Sequence, residues 1–118
     1  MTKLAIIVFA DTGTPEALGR VSNAMTLAQE TLEHRDELKF IFEGAGTKWI
    51  GELENESHKL HGPYKGIKKH ITGACAFCAE AYGVKNQVEK SGIALLSEYN
   101  GHPSLRNLFA DGYNVLSV

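Results

Sequence analysis

Residues Leu4 to Ala10 form an unbroken apolar run, LAIIVFA, ended by Asp11-Thr12-Gly13. The run has no alternating polar face to offer water. It suits a strand covered on both sides, the usual state of strands in parallel sheets. Parallel strands need crossover connections long enough to carry helices, and the next segment meets that need. Thr14 can cap a helix and Pro15 fits its first turn. Ala17, Leu18, Val21, Ala24, Met25, Ala28 and Leu32 then fall on one helical stripe.

The rest of the chain repeats this alternation. Leu38 to Phe42 reads as a second strand, broken by Gly44-Ala45-Gly46. Thr47 to Leu53 reads as a short helix with Trp49, Ile50 and Leu53 on one face. Asn55 to Lys68 is polar, carries Gly62, Pro63 and Gly66, and reads as a loop or a loosely helical excursion. Lys69 to Ala74 is a third strand, Ala76 to Tyr82 a short helix closed by Gly83, and Asn86 to Lys90 a helical turn. Ile93 to Leu96 is a fourth strand, Pro103 opens a helix through Phe109, and Asn114 to Val118 is a terminal strand. This order predicts a single α/β domain over residues 1–118, a three-layer α/β/α unit with a mostly parallel five-stranded sheet. Sites in such sheets form at the carboxyl ends of strands. The segments at those ends are Asp11 to Thr14, Gly44 to Gly46, the stretch from Cys75, and Glu98 to His102.

Composition narrows the function classes. Twelve basic and fourteen acidic residues leave a net charge of -2, no electrostatic footprint for nucleic acid. Lys59, Lys65, Lys68 and Lys69 gather in one stretch that reads as a solvated loop, although they could favour an anionic sulfur species. No apolar run approaches the ~20 residues of a membrane span. Met1-Thr2-Lys3 leads straight into the first strand, with no signal-peptide pattern. The expected location is cytoplasmic, where thiols stay reduced.

The chain has two cysteines, Cys75 and Cys78, in Gly73-Ala74-Cys75-Ala76-Phe77-Cys78. They stand where the third strand hands over to a helix, whose free N–H groups favour thiolate over thiol. A closed zinc site needs four ligands. The five histidines, His34, His58, His61, His70 and His102, include no HxxxH pair, so no metal site is expected. A disulfide closing so small a loop would constrain little of the unfolded chain. Inert burial of both thiols is the bland alternative. Reactive thiols are the leading reading, with Cys75 as primary nucleophile and Cys78 auxiliary. His70 is placed on the third strand and His102 after the fourth, within possible reach of the site, and both are read as structural or surface residues. Asp11-Thr12-Gly13-Thr14 is similar to the phosphate loop of flavodoxins, but turn chemistry alone accounts for it, and no cofactor is expected. Gly44-Ala45-Gly46 reads as punctuation at a helix entry. Trp49, Tyr64 and Phe77 are placed near loop ends as aromatics of an interface type.

The segment from Ile71 to Val84, ITGACAFCAEAYGV, resembles the DsrE/DsrF-like (YchN/TusD-type) sulfur-relay family. There a cysteine ends a strand, a short helix follows, and a Gly-Val or Gly-Ile pair closes the segment. Phe42 to Gly46 and Gly112 to Val115 also look like the family. The resemblance implies a flavodoxin-like domain that assembles into trimers or hexamers. It implies a persulfide on Cys75, passed between sulfur donor and acceptor proteins, with Cys78 matching a cysteine of some branches. Two other functions stay open on the residues alone. One is a CxxC dithiol-disulfide oxidoreductase, although the thioredoxin motif follows the first strand of its fold, not the third. The other is a non-enzymatic ligand-binding or regulatory module.

Overall fold

The LAIIVFA run does enter the sheet interior. In the computed structural model, which describes residues 1–118, β1 (Lys3–Val8) is flanked by two strands, and Ala5, Ile6, Ile7 and Val8 are buried. The strand ends two residues before the apolar run does, and Phe9 is exposed. Thr14 caps α1 (Pro15–Glu33), its hydroxyl accepting the Ala17 N–H at 3.1 Å, with Pro15 in the first turn. β2 (Glu37–Phe42) then pairs parallel with β1 along its whole length.

A 3-10 turn (Gly44–Lys48) leads into α2 (Trp49–Leu53). The polar stretch expected as a loop instead contains α3 (His61–Ile67) and a second 3-10 turn (Lys68–His70). Leu60, Tyr64 and Ile67 bury one face of that excursion, which outweighs the poor helix propensity of Gly62, Pro63 and Gly66. The third strand is correspondingly shorter than expected. β3 is Gly73–Cys75, and His70 belongs to the 3-10 turn, not to a strand. α4 (Ala76–Ala81), α5 (Lys85–Ser91), β4 (Leu95–Leu96), α6 (Leu105–Ala110) and β5 (Asn114–Ser117) complete the chain.

The five strands are all parallel in the order β4-β3-β2-β1-β5, a flavodoxin-like three-layer domain. The chain steps in one direction from β1 to β4, then crosses back so that β5 lies on the other side of β1. The layers are unequal as a result. Ile6, Val8, Phe40 and Phe42 pack beneath α1, α2 and α3 in the main core. Ala5, Ile7 and Ile41 face the other way and meet Leu108 of α6 in a small second core.

Of the three aromatics expected at an interface, two belong to the interior. Trp49 is buried and its Nε1–H donates to the Ala10 carbonyl at 2.9 Å. Tyr64 is buried and its hydroxyl donates to Glu54, which also pairs with Lys68 at 2.7 Å. Only Phe77 is exposed. No helix is long and apolar enough to cross a membrane.

Candidate functional site

The carboxyl edge of the sheet assembles four side chains that are distant in sequence. Cys75 is the last residue of β3, and Cys78 follows one turn into α4. Glu43 immediately follows β2. His102 follows β4, at the end of a tight reversal. The sulfur, nitrogen and carboxylate atoms of these four residues all lie within 4.8 Å of one another.

Local backbone chemistry explains each placement. Gly73 must be glycine because a methyl carbon there would stand 2.6 Å from the Leu96 side chain and 2.7 Å from the Ala94 carbonyl oxygen. β3 and β4 can therefore lie side by side, which sets the strand ends level. Glu43 turns into the 3-10 turn and caps it, its carboxylate accepting the Gly44 N–H at 3.1 Å. Asn100 and Gly101 both adopt positive φ, 51° and 84°. Such a pair makes a two-residue reversal of the hairpin type, and Tyr99 and His102 exchange hydrogen bonds at 2.8 Å across it. The Phe77 N–H donates to the Gly101 carbonyl at 2.9 Å, tying this reversal to α4.

Within the cluster, the Cys75 sulfur is 3.2 Å from His102 Nδ1 and accepts the Cys78 N–H at 3.3 Å. The Cys78 thiol donates to Glu43 Oε1 at 3.0 Å. The Phe77 ring lies against the His102 imidazole, with centroids 4.7 Å apart. Both thiols are free. Cys75 and Glu43 are buried; Cys78 and His102 are partly exposed. A groove of about 710 Å³ runs past Glu43 and His102, with Glu98, Tyr99 and Arg106 also on its walls.

Electrostatics corrects one expectation. The start of α4 was expected to favour thiolates. Burial instead pushes the Cys75 thiol well above the ordinary cysteine range, and the Glu43 carboxylate adds to the rise against the opposing Cys78 N–H. Burial, followed by Glu43, raises Cys78 as well. A buried sulfur beside a carboxylate is poorly placed to hold a negative charge, and one N–H does not offset that. The titratable group in contact with the Cys75 sulfur is the His102 imidazole, its Nδ1 at 3.2 Å.

The cysteine pair is thus where the sequence indicates, and His102 reaches it rather than serving only as a surface residue. Glu43 is the member that sequence reasoning passes over. Its signal was available, since it is the one acidic residue directly at the end of β2. The Asn100-Gly101 pair was likewise a readable reversal that delivers His102. Other candidates lie elsewhere. His34 ends α1 beside the Glu30 carbonyl, His58 accepts the Leu60 N–H, and His61 meets the Leu53 carbonyl at 2.7 Å. Lys65, Lys68 and Lys69 flank a pocket with Ile93 and Ala94, before the amino ends of β3 and β4, so they do not supply charge to the thiols. Asp11 pairs with Lys48 at 2.7 Å, and Thr14 is occupied with capping α1.

No protein-family model matches the chain. It is similar to the uncharacterized protein MJ0733 of Methanocaldococcus jannaschii, with 29% identity over 96 residues, 81% of this chain and 78% of the relative. Its fold is similar to that of BT1422, a conserved protein of unknown function from Bacteroides thetaiotaomicron. That likeness has a TM-score of 0.65 and covers 97% of this chain and 94% of the other, at 19% identity. It supports the architecture and assigns no chemistry.

Proposed function

We propose that the protein is a sulfur carrier that holds sulfane sulfur as a persulfide on Cys75 and passes it to a partner. The observation that carries the reading is the contact between Cys75 Sγ and His102 Nδ1 at 3.2 Å, at the end of a parallel strand. The resemblance of the Ile71 to Val84 segment to sulfur-relay proteins supports it.

The step balances as follows. The Cys75 thiol gives its proton to His102 Nδ1. The thiolate attacks the outer sulfur of a donor persulfide, R–S–SH. The donor S–S bond breaks, its electron pair leaves with R–S⁻, and that sulfur takes up a proton. Cys75 then carries one extra sulfur, and an acceptor thiolate removes it by the same attack in reverse. The Cys78 N–H, already directed at the Cys75 sulfur, supports the anion that forms. The groove beside Glu43 and His102 is the approach for the donor. Cys78, partly exposed, either helps release the sulfur to the acceptor or, with a peroxide as the two-electron oxidant, protects Cys75 by closing a disulfide. The same reading includes a homo-oligomer, a trimer or hexamer, supported by exposed Phe77, Tyr82 and Tyr99, and work in a reducing, cytoplasmic setting.

Intact-mass analysis of the reduced protein after exposure to inorganic polysulfide tests the reading. The expected result is a gain of about 32 Da, one sulfur, on the thiol ladder. Loss of about 2 Da alone, the mark of a disulfide, would favour a dithiol oxidoreductase, and an unchanged mass would remove thiol chemistry from the account.

A further inference from the structure

We infer that Glu43, Cys75, Cys78 and His102 form a binding site for a thiophilic divalent cation, zinc being the best match. The inference rests on the four donors and not on the sulfur-carrier reading.

The donor set is two sulfurs, one imidazole nitrogen and one carboxylate oxygen, the ligand types that zinc takes in fours. The spacing is close to what such an ion needs. With metal–ligand bonds of about 2.0–2.3 Å, the edges of a tetrahedron run about 3.3–3.8 Å. The Cys75–His102 and Cys78–Glu43 contacts, at 3.2 and 3.0 Å, are slightly shorter than such edges, and no pair of donors exceeds 4.8 Å. Sub-ångström to ångström shifts of side chains would close the shell around an ion.

A second observation points the same way. Glu43 is only 6% exposed, faces into the cluster, and forms no ion pair. A buried carboxylate without a cation is costly. Its sole partners are one backbone N–H and the Cys78 thiol. A divalent ion in the cluster would supply the missing positive charge. On binding, Cys75 and Cys78 would each release a proton to solvent, and His102 would ligate through Nδ1 with its proton on Nε2. The ligands arrive from the ends of three neighbouring strands, two of them from a single CxxC. For that reason no linear zinc motif announces the site.

Metal occupancy would hold the Cys75 sulfur as a ligand, so it would compete with sulfur loading at the same atom. The reduced protein, stripped of metal by a chelator, should be titrated with cobalt(II) and then zinc(II). One equivalent of cobalt should produce the visible bands of a tetrahedral thiolate complex, and one equivalent of zinc should abolish them. Glu43→Gln, nearly isosteric, should weaken zinc by about tenfold or more, since even outer-shell losses reach that size. Cys75→Ser and Cys78→Ser should each markedly weaken the cobalt–thiolate bands, and the double variant should remove them, while circular dichroism shows the fold intact. A chain that binds no cobalt or zinc while still gaining sulfur from polysulfide overturns the metal site and leaves the carrier intact. Tight binding that Glu43→Gln leaves unchanged overturns the four-ligand assignment.

Discussion

Gly46→Ala is the sharpest test of how the fold presents the site. Gly46 has an ordinary backbone conformation, so conformational freedom is not its reason for being there. A methyl carbon at this position would stand 2.0 Å from the Val8 carbonyl oxygen and 2.8 Å from the Val8 carbonyl carbon. Both atoms are backbone at the buried end of β1, where side-chain rotation gives no relief. The same carbonyl accepts the Glu43 N–H at 2.9 Å. Accommodating the methyl means moving the Gly44–Lys48 turn away from β1 by about 1 Å, a scale of overpacking that costs ~1–3 kcal/mol. Losing the Glu43–Val8 hydrogen bond adds ~1 kcal/mol, and reduced freedom of the unfolded chain returns ~0.5 kcal/mol. The net is about 1.5–3.5 kcal/mol, or a fall in Tm of roughly 6–14 °C for a chain of this size. Gly19→Ala is the matched control. Gly19 sits in α1 with nothing within 4 Å of its added carbon. It should gain about 0.5–1 kcal/mol. Thermal unfolding followed by circular dichroism compares the two. If Gly46→Ala melts within about 2 °C of the parent, the close approach of the turn to β1 is wrong, and with it the placement of Glu43.

Other outcomes follow from the same structure. Trp49→Phe removes the donor to the Ala10 carbonyl and should cost about 1–2 kcal/mol, read from the urea midpoint of unfolding. Burial and then the Glu54 hydrogen bond hold the Tyr64 hydroxyl above its ordinary range. Its contribution is full below pH ~10, the unfolded value, and is lost as pH rises beyond it, so the stability of Tyr64→Phe should fall less steeply above that pH. At Glu54, burial opposes ionisation, but hydrogen bonds from Lys68 and Tyr64 outweigh it and lower the carboxyl, so this contribution disappears as pH falls below ~4.5. Gly101→Val forces a β-branched residue into φ 84° and should cost about 1–3 kcal/mol. It should also slow sulfur loading, measured by mass against time, by displacing His102.

Much of this architecture is legible in the sequence because it depends on local pattern. The LAIIVFA run, the Thr14-Pro15 helix start and the alternation of elements each follow from short-range chemistry. Cys75 and Cys78 announce themselves because they stand three residues apart, as a CxxC pair. The helical order of Asn55 to Lys68 is hidden because Leu60, Tyr64 and Ile67 gain their burial from tertiary packing that propensity does not show. The lysine stretch looks close to the cysteines in sequence, but β3 runs between the two and separates them to opposite ends of the sheet. Glu43 and His102 are 32 and 27 residues from Cys75, and only the parallel register of β2, β3 and β4 brings them to it. Trp49 and Tyr64 carry polar atoms that suggest a surface, yet both find buried partners.

The central claim is that sulfur is held on Cys75. Trypsin would release His70 to Lys85 as one peptide containing both cysteines, and fragment ions divide it between them. After brief polysulfide exposure and trapping with an alkylating agent, the extra sulfur should lie on Cys75 in the parent. It should remain in Cys78→Ser and be absent from Cys75→Ser. Sulfur found on Cys78 alone, with loading undiminished in Cys75→Ser, would contradict the account.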